Sequence, residues 1–145
     1  MITELTRMWL TRSTKPFLFK KEYDQELPFS DCDGLGLYVH IPFCRSICSF
    51  CPYCKTLYSE EACSRYIDAL IREIHLAGSQ IPGKQIVTSL YFGGGTPALA
   101  ADRIKEIIDA IQEHFIITQG IGIELHPENI TPRTLHILKE AGITK

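Results

Sequence analysis

QIVTSLYFGGGTPALAADRIKEIIDAIQEHF, residues 85–115, changes its hydrophobic period part-way along. Residues 85–92 are β-branched and aromatic. They are bounded by Pro82-Gly83 on one side and by Gly93, Gly94 and Gly95 on the other, which predicts a strand. From 101 to 115, Ile104, Ile107, Ile108, Ile111 and Phe115 recur at helical spacing, which predicts an amphipathic helix. Strand, glycine turn and helix in that order make one βα unit, and repetition of the unit favours a parallel sheet with right-handed crossovers.

The flanking sequence repeats the pattern. Upstream, GLYVHIP (36–42) reads as a short buried strand whose ladder is stopped by Pro42. Ser59 is an N-cap, and Glu60 and Glu61 in the following turn complement the helix dipole, so 60–77 is expected to be a helix. Its packing face is Ala62, Tyr66, Ala69, Leu70, Ile74 and Ala77, with Gly78 as a left-handed C-cap. Downstream, IGIEL (121–125) is a third strand, Thr131-Pro132 caps a third helix and Gly142 ends it. The last residues, AGITK, read as a helix terminus followed by the start of a fourth strand. Three parallel strands leave an unpaired edge, so the expectation is a piece of a longer βα protein, poorly stable or oligomeric by itself. Residues 1–33 have no sustained period and form a lead-in; the domain occupies 34–145.

The charge balance, 15 Lys plus Arg against 17 Asp plus Glu, gives no support for nucleic-acid or anionic-membrane binding. The opening residues lack a secretory apolar run and no eighteen apolar residues follow one another, so a cytoplasmic location is expected. In that reducing compartment, six cysteines argue for metal or redox chemistry over structural disulfides. Four of them fall in HIPFCRSICSFCPYCK, residues 40–55. Cys44, Cys48 and Cys51 lie in the loop after the first strand, at the carboxyl end of the sheet, where α/β folds place their chemistry. Three thiolates so close in sequence can hold a cubane iron–sulfur cluster and leave one iron open. The competing readings are a four-cysteine zinc site, which more often uses two separated knuckles, and a disulfide pair.

The run Cys44-x3-Cys48-x-Phe50-Cys51 resembles the signature of the radical S-adenosylmethionine (radical SAM) superfamily. LYVHIPFC (37–44), SLYFGGGTP (89–97) and IELHPENITPRTLHILKEAGI (123–143) resemble more closely the oxygen-independent coproporphyrinogen III oxidase family, over roughly 34–145. The resemblance implies a partial TIM-type (βα) barrel with parallel strands, truncated after about three βα units. It also implies a 4Fe–4S cluster on Cys44, Cys48 and Cys51, with S-adenosylmethionine chelating the open iron. Tyr38, Phe50, Gly93, Gly94, Gly95, Thr96 and Glu124 become cofactor-binding residues, and Tyr38 and His40 catalytic ones. The implied activity is that of an oxidoreductase: one electron cleaves S-adenosylmethionine, and a 5′-deoxyadenosyl radical takes hydrogen from a porphyrinogen propionate. Its partners would be a small tetrapyrrole substrate and an electron donor such as a flavodoxin or ferredoxin. Relatives with the same front half include heme chaperones and methyl-transferring enzymes that open the heme ring.

Each of these residues also has a plain structural reading. Glycines serve simple turns, Glu124 could be a solvated strand-end carboxylate, and Tyr38 with His40 a hydrogen-bonded core pair. Cys54 departs from the family pattern, in which the extra cysteine follows the third ligand by one residue; here Pro52 and Tyr53 intervene, and Cys54 reads as a bystander. Cys32 and Cys63 read as free or buried thiols, and His75, His114, His126 and His136 carry no assignment.

Overall fold

The computed structural model describes residues 32–145; the lead-in up to residue 31 lies outside the described residues. The elements are β1 (Leu35–Ile41), β2 (Phe43–Cys44), β3 (Thr56–Leu57), α1 (Glu60–Ser79), β4 (Gln85–Gly94), α2 (Ala101–His114), β5 (Phe115–Ile117), β6 (Ile121–Ile123) and α3 (Pro132–Glu140). Short 3-10 turns at Pro97–Ala100 and Pro127–Asn129 precede α2 and α3. The main sheet is parallel throughout, with β4 at its centre. One edge of β4 pairs with β1; along the other edge β5 and β6 lie end to end, facing Gln85–Val87 and Leu90–Phe92 respectively. The α/β parallel architecture anticipated from the βα repeat is therefore present, and the expected fourth strand has begun. Ile143 bridges Ile121 in parallel, and the Ile123 N–H donates to the Lys145 carbonyl at 3.1 Å.

The sheet has two unlike faces. Val39, Ile41, Val87, Leu90, Phe92, Ile121 and Ile123 turn toward the helices and are buried, whereas Tyr38 and Tyr91 on the opposite face are exposed. Strict alternation would not bury both Val87 and Leu90, three residues apart. A register shift between Leu35 and Gly36, which skips Thr88 on β4, supplies the change of phase. Covering the apolar face, α2 buries Ile104, Ile107, Ile108 and Ile111, as its periodicity predicts. Buried leucine and isoleucine side chains contribute about 1.5–3 kcal/mol each, so this stripe is the main fastening of helix to sheet.

Several boundaries differ from the sequence reading. α1 passes through Gly78 and ends at Ser79; Gly78 is buried inside the helix rather than left-handed after it. A Cβ at Gly78 would lie 2.2 Å from Cγ of His114, so the glycine serves close packing against α2. The packed stripe of α1 is centred on Cys63 and Ile67, while Ala69 is exposed. α2 ends at His114, and Phe115 opens the unanticipated β5, where Ile116 and Ile117 extend a β-branched run before Gly120. β4 continues two residues further than its apolar run, to Gly94, because the glycines still pair with His40 and Ile41. β6 stops at Ile123, two residues short of the expected strand. Both anticipated caps form: the Ser59 and Thr131 side chains accept from the Ala62 and Thr134 N–H groups, and Gly142 takes φ +99° after α3.

Candidate functional site

The cysteine loop is a lasso tied at both ends. β2 and β3 pair in parallel across it, with the Thr56 N–H donating to Pro42 O at 2.8 Å and the Tyr58 N–H to Cys44 O at 2.9 Å. Cys44 stands on the knot; Cys48 and Cys51 lie within the loop, where the Cys51 N–H reaches Cys48 O at 3.4 Å. The backbone N–H of Tyr53, and after it the Lys55 ammonium, hold the Cys51 thiol below its usual range. Lys55 also donates to the Cys51 carbonyl. A thiolate is the form that ligates metal, so both donors favour the ligating state.

The glycine turn after β4 closes against this knot. The Gly95 and Thr96 N–H groups donate to Ile41 O at 2.9 Å and Phe43 O at 2.7 Å, and the Thr96 hydroxyl lies 4.0 Å from the Cys44 sulfur. A side chain at position 95 would meet Phe43 O at 2.6 Å and Cys44 Sγ at 2.8 Å. Gly94 has φ +124°, and a Cβ there would meet Ile41 O at 2.7 Å. Gly94 is thus required by close approach to the end of β1 and Gly95 by close approach to the loop, which a simple tight turn does not explain.

Beside the turn, the Gly94 N–H donates to Glu124 Oε2 at 3.2 Å. Tyr38 and His40 share the exposed face of β1, 3.2 Å apart from hydroxyl to Nδ1. His40 Nε2 lies 2.9 Å from the Cys54 carbonyl, which can only accept; the hydrogen is therefore on Nε2, and in the neutral ring Nδ1 accepts from the Tyr38 hydroxyl. Loss of water contact, then the neighbouring Glu124 charge, push the Tyr38 phenol up. Tyr38 is 58% exposed and stacks on Tyr91 at 6.5 Å, so the pair is satisfied but is not a core pair.

Cys44, Cys48, Phe50 and Cys51 line one cleft of about 270 Å³ together with Gly94, Gly95, Thr96 and Lys55. Gly93, Glu124, Tyr38 and His40 are outside its lining: Glu124 reaches it only through Gly94, and Gly93 packs against Tyr38 and Glu124. Tyr38 and His40 line a separate cavity between β1 and α1 with Tyr66 and Glu73; Cys54 is also outside the cleft lining and contributes its carbonyl to His40. His126, Glu128 and Asn129 also line the cleft, and sequence reasoning left all three unassigned. Their signal was position: HPEN (126–129) follows β6 after two residues, at the same end of the sheet as the cysteine loop and the glycine turn. The cleft can hold a compact inorganic core on three thiols, with the Glu124 carboxylate close by on Gly94.

The sequence model of the radical SAM superfamily matches residues 38–145. The chain belongs to that superfamily. It is 33% identical over 117 residues to the oxygen-independent coproporphyrinogen III oxidase of Pseudomonas aeruginosa, a match covering 77% of this chain and 25% of the relative. It is 44% identical over 113 residues to an anaerobilin synthase of Escherichia coli, covering 75% and 25%. To the heme chaperone HemW of Bacillus subtilis it is 30% identical over 112 residues, covering 74% and 29%. The solved structure of coproporphyrinogen III oxidase (HemN) from Escherichia coli, a radical SAM enzyme, superposes with a TM-score of 0.67 at 33% identity, covering 74% of this chain and 26% of that one. The radical SAM chain thus spans about a quarter of the length of these relatives, and its parallel βα arrangement is part of a radical SAM barrel. Among the described residues, no helix is long and apolar enough to cross a membrane.

Proposed function

We propose that residues 34–145 form the cofactor-holding part of a radical SAM oxidoreductase that acts on a tetrapyrrole. The observation that carries this reading is the shared cleft: the three signature cysteines and the glycine turn line one cavity, and a methyl group at position 95 would collide with the first cysteine sulfur. The donor set fits a 4Fe–4S cluster. Cys44, Cys48 and Cys51 are free thiols, Cys51 is biased toward thiolate, and Cys54 is not among the residues lining the cleft, so three thiols would hold the cluster and one iron would be left without a protein thiol. When bound, the cluster supplies the low-potential electron that cleaves S-adenosylmethionine to methionine and a 5′-deoxyadenosyl radical.

The protein's own contribution is positional. The β2–β3 knot fixes where Cys44 stands, and the glycine turn, whose Gly95 and Thr96 N–H groups are engaged by Ile41 O and Phe43 O, closes one wall of the cleft against it. Glu124 offers a carboxylate to an ammonium group, and Phe50 gives the loop an apolar rim. His40 joins Tyr38 to the loop end at Cys54, so the phenol is held above the sheet end where a substrate carbon would lie. A flavodoxin- or ferredoxin-like donor would meet the exposed loop. Decarboxylation of porphyrinogen propionates is the primary reading; action on the heme ring is a second one, favoured by the 44% identity to anaerobilin synthase.

The test is anaerobic reconstitution with iron and sulfide, read by iron content and low-temperature electron paramagnetic resonance with and without S-adenosylmethionine. About four irons per chain, retained by Cys54→Ala, lost by Cys48→Ala and giving a signal that shifts with S-adenosylmethionine, is the expected result. Zinc in place of iron, or loss of the cluster in Cys54→Ala, would overturn the reading. Titrations with heme and with coproporphyrinogen III then separate the two substrates.

A further inference from the structure

On the outer surface, away from the cleft, the ends of α1 and α2 bring together three ligand-type side chains: His75 of α1, and Glu113 and His114 of α2. Nδ1 of His75 and Nε2 of His114 lie 3.0 Å apart, with the rings crossed at 73°. A Glu113 oxygen is 3.6 Å from His75 Nδ1, and the three ligand atoms all fall within 4.8 Å of one another. Bonds of about 2.0–2.2 Å to a tetrahedral ion place its ligand atoms about 3.3–3.5 Å apart, a spacing that the two measured separations bracket.

The surroundings favour a cation. His114 is the last residue of α2, whose carbonyl end attracts positive charge and already holds the Lys84 ammonium on the Gln112 carbonyl at 2.8 Å, and the last turn of α1 has no basic residue. The approach of the rings is also built into α1. Gly78, one turn beyond His75, is the residue against which the His114 ring packs, and a Cβ there would overlap the ring at 2.2 Å. Two imidazoles and a carboxylate, part exposed, suit a divalent transition metal and not a hard oxygen-seeking ion such as magnesium.

We propose that His75, Glu113 and His114 form a binding site for a divalent transition metal, such as Zn(II), that clips the carboxyl ends of α1 and α2 together. In its absence one imidazole donates to the other. Binding shifts that ring's hydrogen to its outer nitrogen, so both facing nitrogens present lone pairs to the metal. The site lies on the helical layer and is independent of the cysteine loop.

Thiols would mask it, so the test uses the full chain with Cys32, Cys44, Cys48, Cys51 and Cys54 replaced by serine, titrated with Zn(II) by calorimetry. One Zn(II) per chain is expected, together with a rise in Tm with metal concentration and shifts of the His75 and His114 imidazole nitrogen resonances. His75→Ala should weaken binding by more than the about 10- to 100-fold that even an outer-sphere partner contributes, and Glu113→Gln should weaken it measurably. Glu113 is mostly exposed, so that variant remains informative if His75→Ala loses helical circular dichroism. Absence of stoichiometric binding, equal affinity in Glu113→Gln, or shifts confined to His126 and His136 would each overturn the proposal and leave an ordinary histidine–histidine hydrogen bond.

Discussion

Adding one methyl group at Gly95 tests the joint between the cysteine loop and the glycine turn. The Cβ of Gly95→Ala would stand 2.6 Å from Phe43 O and 2.9 Å from Phe43 C, against the 3.4 Å at which ordinary contact starts. The atoms in the way are backbone on the β2–β3 knot, so relief requires the turn or the knot to move by several tenths of an ångström. That movement strains the hydrogen bonds from Gly95 to Ile41 O and from Thr96 to Phe43 O, each contributing about 0.5–1.5 kcal/mol. With overpacking at about 1–3 kcal/mol, the expected loss is about 2–4 kcal/mol, read as a lowered urea midpoint with unchanged slope. Because the same Cβ lies 2.8 Å from Cys44 Sγ, iron retention after reconstitution should fall as well. Gly83→Ala is the control: its φ is +80° but nothing lies within 4 Å, so it should cost about 1–2 kcal/mol of backbone strain and leave iron binding intact. Wild-type stability and full iron content in Gly95→Ala would refute the packing argument.

Core, pH and ligand contacts give further expectations. Ile107 is fully buried on the sheet-facing side of α2, and Ile107→Ala should lower unfolding free energy by about 2–5 kcal/mol in urea titration. Burial pushes the Cys63 thiol up, with Arg103 opposing; a raised pKa means stability that is whole below the ordinary thiol range and lost as pH climbs through the folded-state value. Thermal melts from pH 7 to 10 should therefore decline, and Cys63→Ala should flatten part of that decline; an identical profile in the variant would dismiss the thiol as its source. Glu124→Gln exchanges a charged acceptor for a neutral one and should weaken S-adenosylmethionine binding by about tenfold, measured by paramagnetic resonance titration, while iron content stays unchanged.

The sequence made the sheet legible because a strand, a glycine turn and an isoleucine stripe each announce themselves locally. Ser59 and Thr131 were equally plain, since a cap is a contact between residues three apart. What escaped was set by distant contact. Gly78 has the credentials of a C-cap, and only the His114 ring, 36 positions later in the chain, explains why it is helical. β5 was hidden by Phe115, which fits the helical stripe of α2 and pairs with Gln85 instead. At the site, the signature cysteines were readable by spacing, whereas His126, Glu128 and Asn129 reach the cleft through the placement of β6 beside β4, which no local pattern encodes. The carbonyl of Cys54 is a similar case: its thiol drew the attention, and its backbone makes the contact to His40.

The relatives sharpen what this part of the chain can decide. An oxidase, a synthase that bears the name anaerobilin, and a heme chaperone each match about three quarters of this chain, at 33%, 44% and 30% identity. A feature common to all three cannot by itself choose among their activities. The cysteine loop, the glycine turn and Glu124 lie within residues 38–145, which match the model of the whole superfamily, so on the proposed function they serve the step common to it and not the choice of substrate. Discrimination must come from groups that touch the substrate beyond the cofactor. Within the described residues, the exposed sheet face offers two, Tyr38 and Tyr91, stacked at 6.5 Å and wide enough to meet a flat aromatic ring. Replacing Tyr91 with leucine keeps an apolar side chain over Gly122 but removes the ring, so it should leave iron content and the S-adenosylmethionine response intact while weakening tetrapyrrole binding. Fluorescence quenching titration with the porphyrin reads that difference directly, and equal affinity in the variant would place substrate recognition elsewhere in the protein.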